Sequence, residues 1–132
     1  MQRRLNKVER ILAVRGKLHR LAEWKVATLD REKAEVAIGQ SALLDALNRD
    51  EALHGLFVEA MARRLTALAR EAERIDRARE VQSRRLLEEG LRLKLAERMT
   101  ERVRRAHHQR LTRQGFEHLL EALLRPDGAS FP

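Results

Sequence analysis

The sequence predicts an all-α protein, an antiparallel two-helix coiled-coil hairpin in which the second helix is the longer. Gly (6) and Pro (2) are rare among the 132 residues, and 36% of the residues are charged, a composition typical of long helices and coiled coils. Aromatic residues make up only 3%, which disfavours a broad globular core. Apolar residues also recur at alternating intervals of three and four, the pattern of a coiled-coil seam.

The first helix is predicted over about residues 3–47, because its apolar stripe runs through this stretch without a proline. A stripe of this width covers only a narrow face, so a second helix must pack on it. The stripe consists of Leu5, Val8, Leu12, Arg15, His19, Ala22, Val26, Leu29, Lys33, Val36, Gln40, Leu43 and Leu47.

A tip is predicted at about residues 48–55, where Asn48 and Glu51 have the spacing of a capping box that opens a helix. The second helix follows over about residues 50–124, and the short connection lets the two stripes face each other in antiparallel orientation. Pro126 and Gly128 end it, so residues 1–125 form one hairpin and residues 126–132 a disordered tail. The second stripe consists of Met61, Leu65, Leu68, Ala72, Ile75, Arg79, Gln82, Leu86, Glu89, Leu93, Ala96, Thr100, Val103, His107 and Arg110.

Several positions of the predicted seam are polar, which leaves two interpretations open. In the first, the polar side chains fix the register or extend to water while their stems stay in the seam. In the second, the seam is soft enough for the hairpin to bend or open against a partner. The residues concerned are Arg15, Lys33, Gln40, Arg79, Gln82 and Glu89.

The unequal helix lengths predict a part of the second helix without a partner. At 1.5 Å per residue the first helix spans ~68 Å and the second ~112 Å. A tip near residue 51 places Leu5 beside Arg98, so everything after about residue 101 is unpaired. An apolar cluster lies in this part, with a spacing that puts its members on one helical face. The apolar cluster consists of Phe116, Leu119, Leu120, Leu123 and Leu124.

Such a cluster indicates a binding surface. A heterologous protein, self-association, or a bend that folds the end back onto the hairpin would each cover it. An arginine stretch at residues 98–113 precedes the cluster and contains one acid, Glu101. It is either a solvated helix face or a positive surface that orients the apolar end on an acidic partner.

No pattern in the sequence indicates catalysis, so we expect a non-enzymatic protein without a cofactor or a metal. Cysteine is absent, no two of the five histidines are three or four residues apart, and no glycine-rich phosphate loop occurs. A thin hairpin also lacks the concave pocket that catalysis needs. No stretch has the length of a signal peptide core or of a membrane span. We therefore expect a cytoplasmic protein.

The long second helix contains a charged run with regularly spaced leucines, residues 92–98 (RLKLAER), and the predicted tip contains residues 53–57 (LHGLF). Together with the hairpin pattern over nearly the whole chain, these segments resemble the flagellar FliJ family and its relatives in type III secretion, the small stalk proteins of the export ATPase. The resemblance implies a monomeric hairpin that is similar to the stalk of rotary ATPases.

In that family the paired ends of the helices enter the pore of a hexameric ATPase, promote its assembly and connect it to the membrane export gate. Members are also described as export chaperones. The resemblance therefore implies a cytoplasmic protein that associates peripherally with the membrane export apparatus. The ATPase-facing residues would be Leu5, Val8, Ile11, Leu12, Arg98, Arg102, Arg105, Phe116, Leu119, Leu120, Leu123 and Leu124.

Two other functions are compatible with the sequence. The net charge of +8 is compatible with electrostatic binding of nucleic acid, which weakens steeply with salt. That function is disfavoured because no aromatic residues alternate with the basic ones for base stacking. The chain could also be a scaffold that associates only with itself.

Overall fold

A computed structural model describes residues 2–49 and 54–125, with the side chains of residues 54–56 left out of the description. It contains two α-helices, α1 (Gln2–Arg49) and α2 (His54–Leu124), which pack against each other as a hairpin. The predicted all-α hairpin with a longer second helix is therefore confirmed. Residues 50–53 of the predicted tip and the predicted tail at residues 126–132 lie outside the described residues.

The chain divides into two units, which we call the terminal unit (residues 1–17 and 91–132) and the central unit (residues 18–90). In the central unit α1 and α2 run antiparallel. His19 of α1 lies beside Gly90 of α2, 3.7 Å from the position that a Cβ on this glycine would occupy. Gly39 of α1 lies beside Leu68 of α2, with 3.5 Å between the leucine and the equivalent Cβ position. Later residues of α1 thus meet earlier residues of α2.

The predicted seam is confirmed almost position by position. Apart from Lys33 in α1 and Arg110 in α2, every seam residue is buried or half-buried. Ile75 is 1% exposed and Ala22 6% in the central unit, and Val103 is 4% exposed in the terminal unit. Burial thus follows the three- and four-residue spacing, as in a coiled coil.

Two ion pairs join the helices of the central unit at polar seam positions. Arg79 donates hydrogen bonds to the carboxylate of Asp30, and Lys33 Nζ lies 2.7 Å from Asp76 Oδ1. The hydrogen bond from Arg79 is the main cause that holds the pKa of Asp30 below the ordinary value; desolvation opposes it, and the positive charges of Arg79 and Lys33 lower the pKa further. These polar residues reach water and acids at the edge of the seam, which favours the first interpretation, in which they fix the register.

A hydrogen bond and an ion pair mark the register in the terminal unit. The hydroxyl of Thr100, which is 1% exposed, donates to the carbonyl of Ala96 at 2.7 Å and lies 3.4 Å from the carbonyl oxygen of Val8. Arg104 Nε donates to Glu9 Oε1 at 3.3 Å. Arg104 lies beyond residue 101, so the pairing continues past the point at which the sequence predicted it to end.

The predicted register, with Leu5 beside Arg98, is therefore wrong. Val8 lies opposite Thr100, so Leu5, three residues earlier on α1, lies opposite a residue beyond Thr100 on the antiparallel α2. As a result α1 meets a later part of α2, and the pairing reaches His107, the last half-buried residue of α2. We call the remaining residues of α2, 108–124, the overhang; at 1.5 Å per residue it is ~26 Å long.

Candidate protein-binding surface

The overhang is exposed along its whole length, since every residue from 108 to 125 is exposed. The apolar cluster lies here, and its five side chains are between 40% and 78% exposed. The cluster is therefore not folded back onto the described part of the chain. Leaving a large apolar side chain in water forgoes roughly 1.5–3 kcal/mol relative to full burial. A concentration of such residues on one short helical segment is typical of a binding surface.

The apolar cluster does not continue the seam. The seam steps, extended past Arg110, fall on Gln114, Glu117 and Glu121. All three are polar, so the line of α2 that faces α1 in the paired part becomes hydrophilic in the overhang. The cluster occupies a neighbouring line, with Phe116 and Leu120 four residues apart. A partner of the overhang must therefore approach from a different side than α1 does.

The arginine stretch divides into paired and unpaired side chains. Arg104 binds Glu9 across the helices, and Arg105 Nε donates to Glu101 Oε1 at 3.1 Å within α2. The other arginines of the stretch form no ion pair with the described residues. They are exposed and leave an excess of positive charge beside the apolar cluster. These unpaired arginines are Arg98, Arg102, Arg110 and Arg113.

The candidate residues of α1 have a different environment from those of α2. Val8 is 6% exposed, and Leu5 and Leu12 are half-buried in the seam. Their side chains reach a partner only if the helices separate, whereas Ile11 is 41% exposed in the paired state. Binding through these four residues stays a prediction, and Ile11 is the one whose side chain is available without opening the hairpin.

Sequence reasoning missed several exposed apolar residues of the terminal unit, among them Val14, Leu95 and Met99. Val14 and Met99 are 55% exposed and Leu95 is 63% exposed. Together with Ile11 they form what we call the side patch. A signal for it exists in the sequence, because Ile11 and Val14 follow the same three- and four-residue rhythm as the seam, displaced by one helical line. That signal is hidden when only the strongest stripe of each helix is read.

The described residues contain no group of three or more His, Asp or Glu side chains placed to hold a metal ion. Within the same residues, neither helix has a segment with the length and apolar character required to cross a membrane. No protein-family model, curated protein or solved structure shows a significant match to the chain.

Proposed function

We propose that the chain is a non-enzymatic coiled-coil stalk or adaptor of a flagellar or type III protein-export ATPase. In this proposal the terminal unit binds the hexameric ATPase, and the hairpin helps couple it to the membrane export gate. The protein acts in the cytoplasm, at the cytoplasmic face of the export apparatus, and it remains a monomeric hairpin.

The observation that carries the proposal is the exposed apolar cluster on a helical segment that no described part of the chain covers. Two paired helices give such a segment a defined position, and a protein surface is the partner that removes its large apolar side chains from water. The unpaired arginines beside it favour an acidic docking surface, because complementary charge steers and orients association. The resemblance to the FliJ family makes the export ATPase the first partner to test.

The test mixes the purified chain with the export ATPase of the same organism and measures complex formation, ATPase oligomerisation and turnover. We expect the chain to raise oligomerisation and turnover, and a variant with Phe116→Ala, Leu119→Ala and Leu120→Ala to lose both effects. A matched control carries Ile38→Ala, Leu44→Ala and Leu87→Ala, which are also exposed but lie in the central unit. The control is expected to behave like the unchanged chain.

Two results would contradict the proposal. One is the absence of a complex between the unchanged chain and the ATPase. The other is an equal loss of binding in the cluster variant and in the control, since general removal of exposed apolar surface would then explain it. Sedimentation over a range of concentrations separates a stalk from a self-associating scaffold, because a stalk stays monomeric.

A second candidate function is favoured by the unpaired arginines: electrostatic binding of nucleic acid. The measurement is the affinity for duplex DNA at several salt concentrations. Binding that falls steeply with salt and weakens in Arg102→Glu and Arg113→Glu would favour this function. An absence of binding at low ionic strength would remove it.

A further inference from the structure

The side patch and part of the arginine stretch lie on one side of the terminal unit. Arg4 of α1 and Arg102, Val103 and Ala106 of α2 line a common groove of about 180 Å³. Residues seven apart share a face of a coiled-coil helix. Ile11 is seven residues after Arg4, so it lies on the side of this groove. The same spacing, counted back from Arg102, reaches Leu95 of the side patch.

The two halves of the side patch also lie at the same level. The carbonyl of Val8 lies beside Thr100, and the helices run antiparallel. Ile11 and Val14, which follow Val8 on α1, therefore lie opposite the part of α2 that precedes Thr100 and contains Leu95. Exposed apolar side chains of both helices thus flank one another along the edge of the seam.

The same side continues into the overhang. Phe116 is two heptads after Arg102, and Leu120 is two heptads after Ala106. A straight helix drifts by about 20° per heptad from an ideal seven-residue repeat, so two heptads leave these residues on the side of the groove. The surface therefore has two apolar blocks, the side patch and the apolar cluster. Arginines at positions 102 and 113 lie between the blocks.

The spacing of these blocks fits one helix. Leu95 and Phe116 are three heptads apart, as are Met99 and Leu120, a distance of about 32 Å along α2 at 1.5 Å per residue. A helix lying beside α2 would meet the side patch with one end, the arginines with its middle and the apolar cluster with its other end. Amphipathic helices commonly dock in this way on apolar grooves.

The positive charge of the arginines between the two apolar blocks indicates which kind of partner helix can bind. A second copy of this chain, placed antiparallel so that its cluster meets the side patch, would set its own arginines against Arg102 and Arg113. Like charges that face each other across an interface oppose association, and the chain as a whole carries a net charge of +8. An acidic segment would instead neutralise arginines that have no acidic partner among the described residues.

We propose that this side of the terminal unit docks one acidic amphipathic helix of a partner protein. Its two apolar blocks, three heptads apart, contact the side patch and the apolar cluster, and its acidic middle binds Arg102 and Arg113. The inference deepens the proposed function by stating the chemistry of the partner segment. It adds Val14, Leu95 and Met99 to the binding surface.

The test uses a display library of amphipathic helical peptides selected on the full chain. The library varies the separation of two leucine blocks, at two or three heptads, and the charge of the segment between them, which is acidic, neutral or basic. We expect enrichment of peptides with an acidic middle and a three-heptad separation. An enriched peptide is then synthesised and its Kd measured by fluorescence anisotropy.

Variants then locate the peptide on the chain. We expect Arg102→Glu with Arg113→Glu to weaken the synthesised peptide by about tenfold or more, because like charges replace complementary ones. Leu95→Ala with Met99→Ala should weaken it by about fivefold or more through lost apolar contact. The control is Arg20→Glu with Arg85→Glu, which makes the same charge change at exposed arginines of the central unit and should leave the Kd unchanged.

Several outcomes would overturn the inference. These are enrichment of neutral or basic peptides, failure to enrich any peptide, an equal effect of the control variant, or no effect of the substitutions at Leu95 and Met99. A concentration-dependent dimer that Leu95→Ala with Met99→Ala abolishes would assign the surface to a second copy instead. The outcome of this test is independent of the outcome of the ATPase test, because an acidic peptide can bind this surface even if the chain does not bind the ATPase.

Discussion

The paired part of α2 and the overhang have the same kind of sequence but opposite environments. Both contain apolar residues spaced by three and four, and in both the helix is continuous. In the paired part these residues face α1, and Thr100 and Val103 are almost fully buried. In the overhang the seam line carries Glu117 and Glu121, and the apolar residues lie on another line. Periodicity thus predicts an amphipathic helix, whereas the direction of its apolar face decides which neighbour can cover it.

The largest effect that separates the two regions is expected from truncating one apolar side chain in each. Ile75→Ala removes a side chain that is 1% exposed, and such a change should lower the free energy of unfolding by about 2–5 kcal/mol. Leu123→Ala removes one that is 73% exposed, and the change should stay within about 0.5 kcal/mol. Urea denaturation followed by circular dichroism measures both.

A comparable loss of stability in Leu123→Ala would contradict this difference between the two regions, because it would mean that the apolar cluster is buried in solution. Sedimentation of both variants serves as the control. A concentration-dependent loss would point to burial in an oligomer, and a concentration-independent loss to contact within one chain.

The seam could be read from the sequence because it depends on local spacing. The seam positions from Leu5 to Leu47 and from Met61 to His107 follow one repeat. In the structure all of them except Lys33 are buried or half-buried. The register could not be read in the same way. It depends on the offset of α2 along α1, which local spacing does not define, and a change of a few residues in that offset moves every opposed pair.

The candidate surface was predictable only in part, for the same reason. The exposure of the apolar cluster followed from the unequal helix lengths alone, and the structure shows it. The start of the overhang was placed too early, because it depends on the register. The side patch was missed because Ile11 and Val14 belong to a second, weaker stripe, whose exposure is defined only after α2 has been placed against the first.

A smaller difference is expected from two glycines of α2. A Cβ on Gly90 would make an ordinary contact, 3.7 Å from His19 Nε2, and a Cβ on Gly115 would meet nothing within 4 Å. Ala is favoured over Gly in a helix by about 1 kcal/mol. Gly90→Ala should therefore raise the free energy of global unfolding by up to about 1 kcal/mol. Gly115→Ala should leave global unfolding nearly unchanged, because the overhang contributes no packing to the hairpin.

Hydrogen exchange distinguishes the two glycine variants. Gly115→Ala should slow amide exchange in residues 108–124 without a change in the midpoint of denaturation, since segments without tertiary packing open locally. Gly90→Ala should shift the midpoint and leave exchange in the overhang as it was. A shift of the midpoint by Gly115→Ala would show that the overhang unfolds together with the paired helices.

The smallest expected effect is a dependence of stability on pH. It is confined to the paired helices, because it requires an acidic side chain of α1 opposite a basic side chain of α2. Arg79 lowers the pKa of Asp30 in the folded state, so the folded protein holds this carboxyl in its charged form more strongly than the unfolded chain does. The stabilisation is therefore present above the unfolded pKa of about 4 and is lost as the pH falls through the lower folded value.

Asp30→Asn tests this difference, because it removes the titrating group and keeps the shape of the side chain. We expect the melting temperature of the variant to fall less on acidification below about pH 4 than that of the unchanged chain. Glu71→Gln is the matched control. The hydrogen bond from Arg74 lowers the pKa of Glu71, but this pair lies within α2, so its loss weakens the helix without releasing α1. Sedimentation or small-angle scattering can also compare how far the two proteins expand at low pH. If Asp30→Asn expands as much as the unchanged chain, the ion pair between Asp30 and Arg79 does not hold the register, and the apolar seam alone defines it.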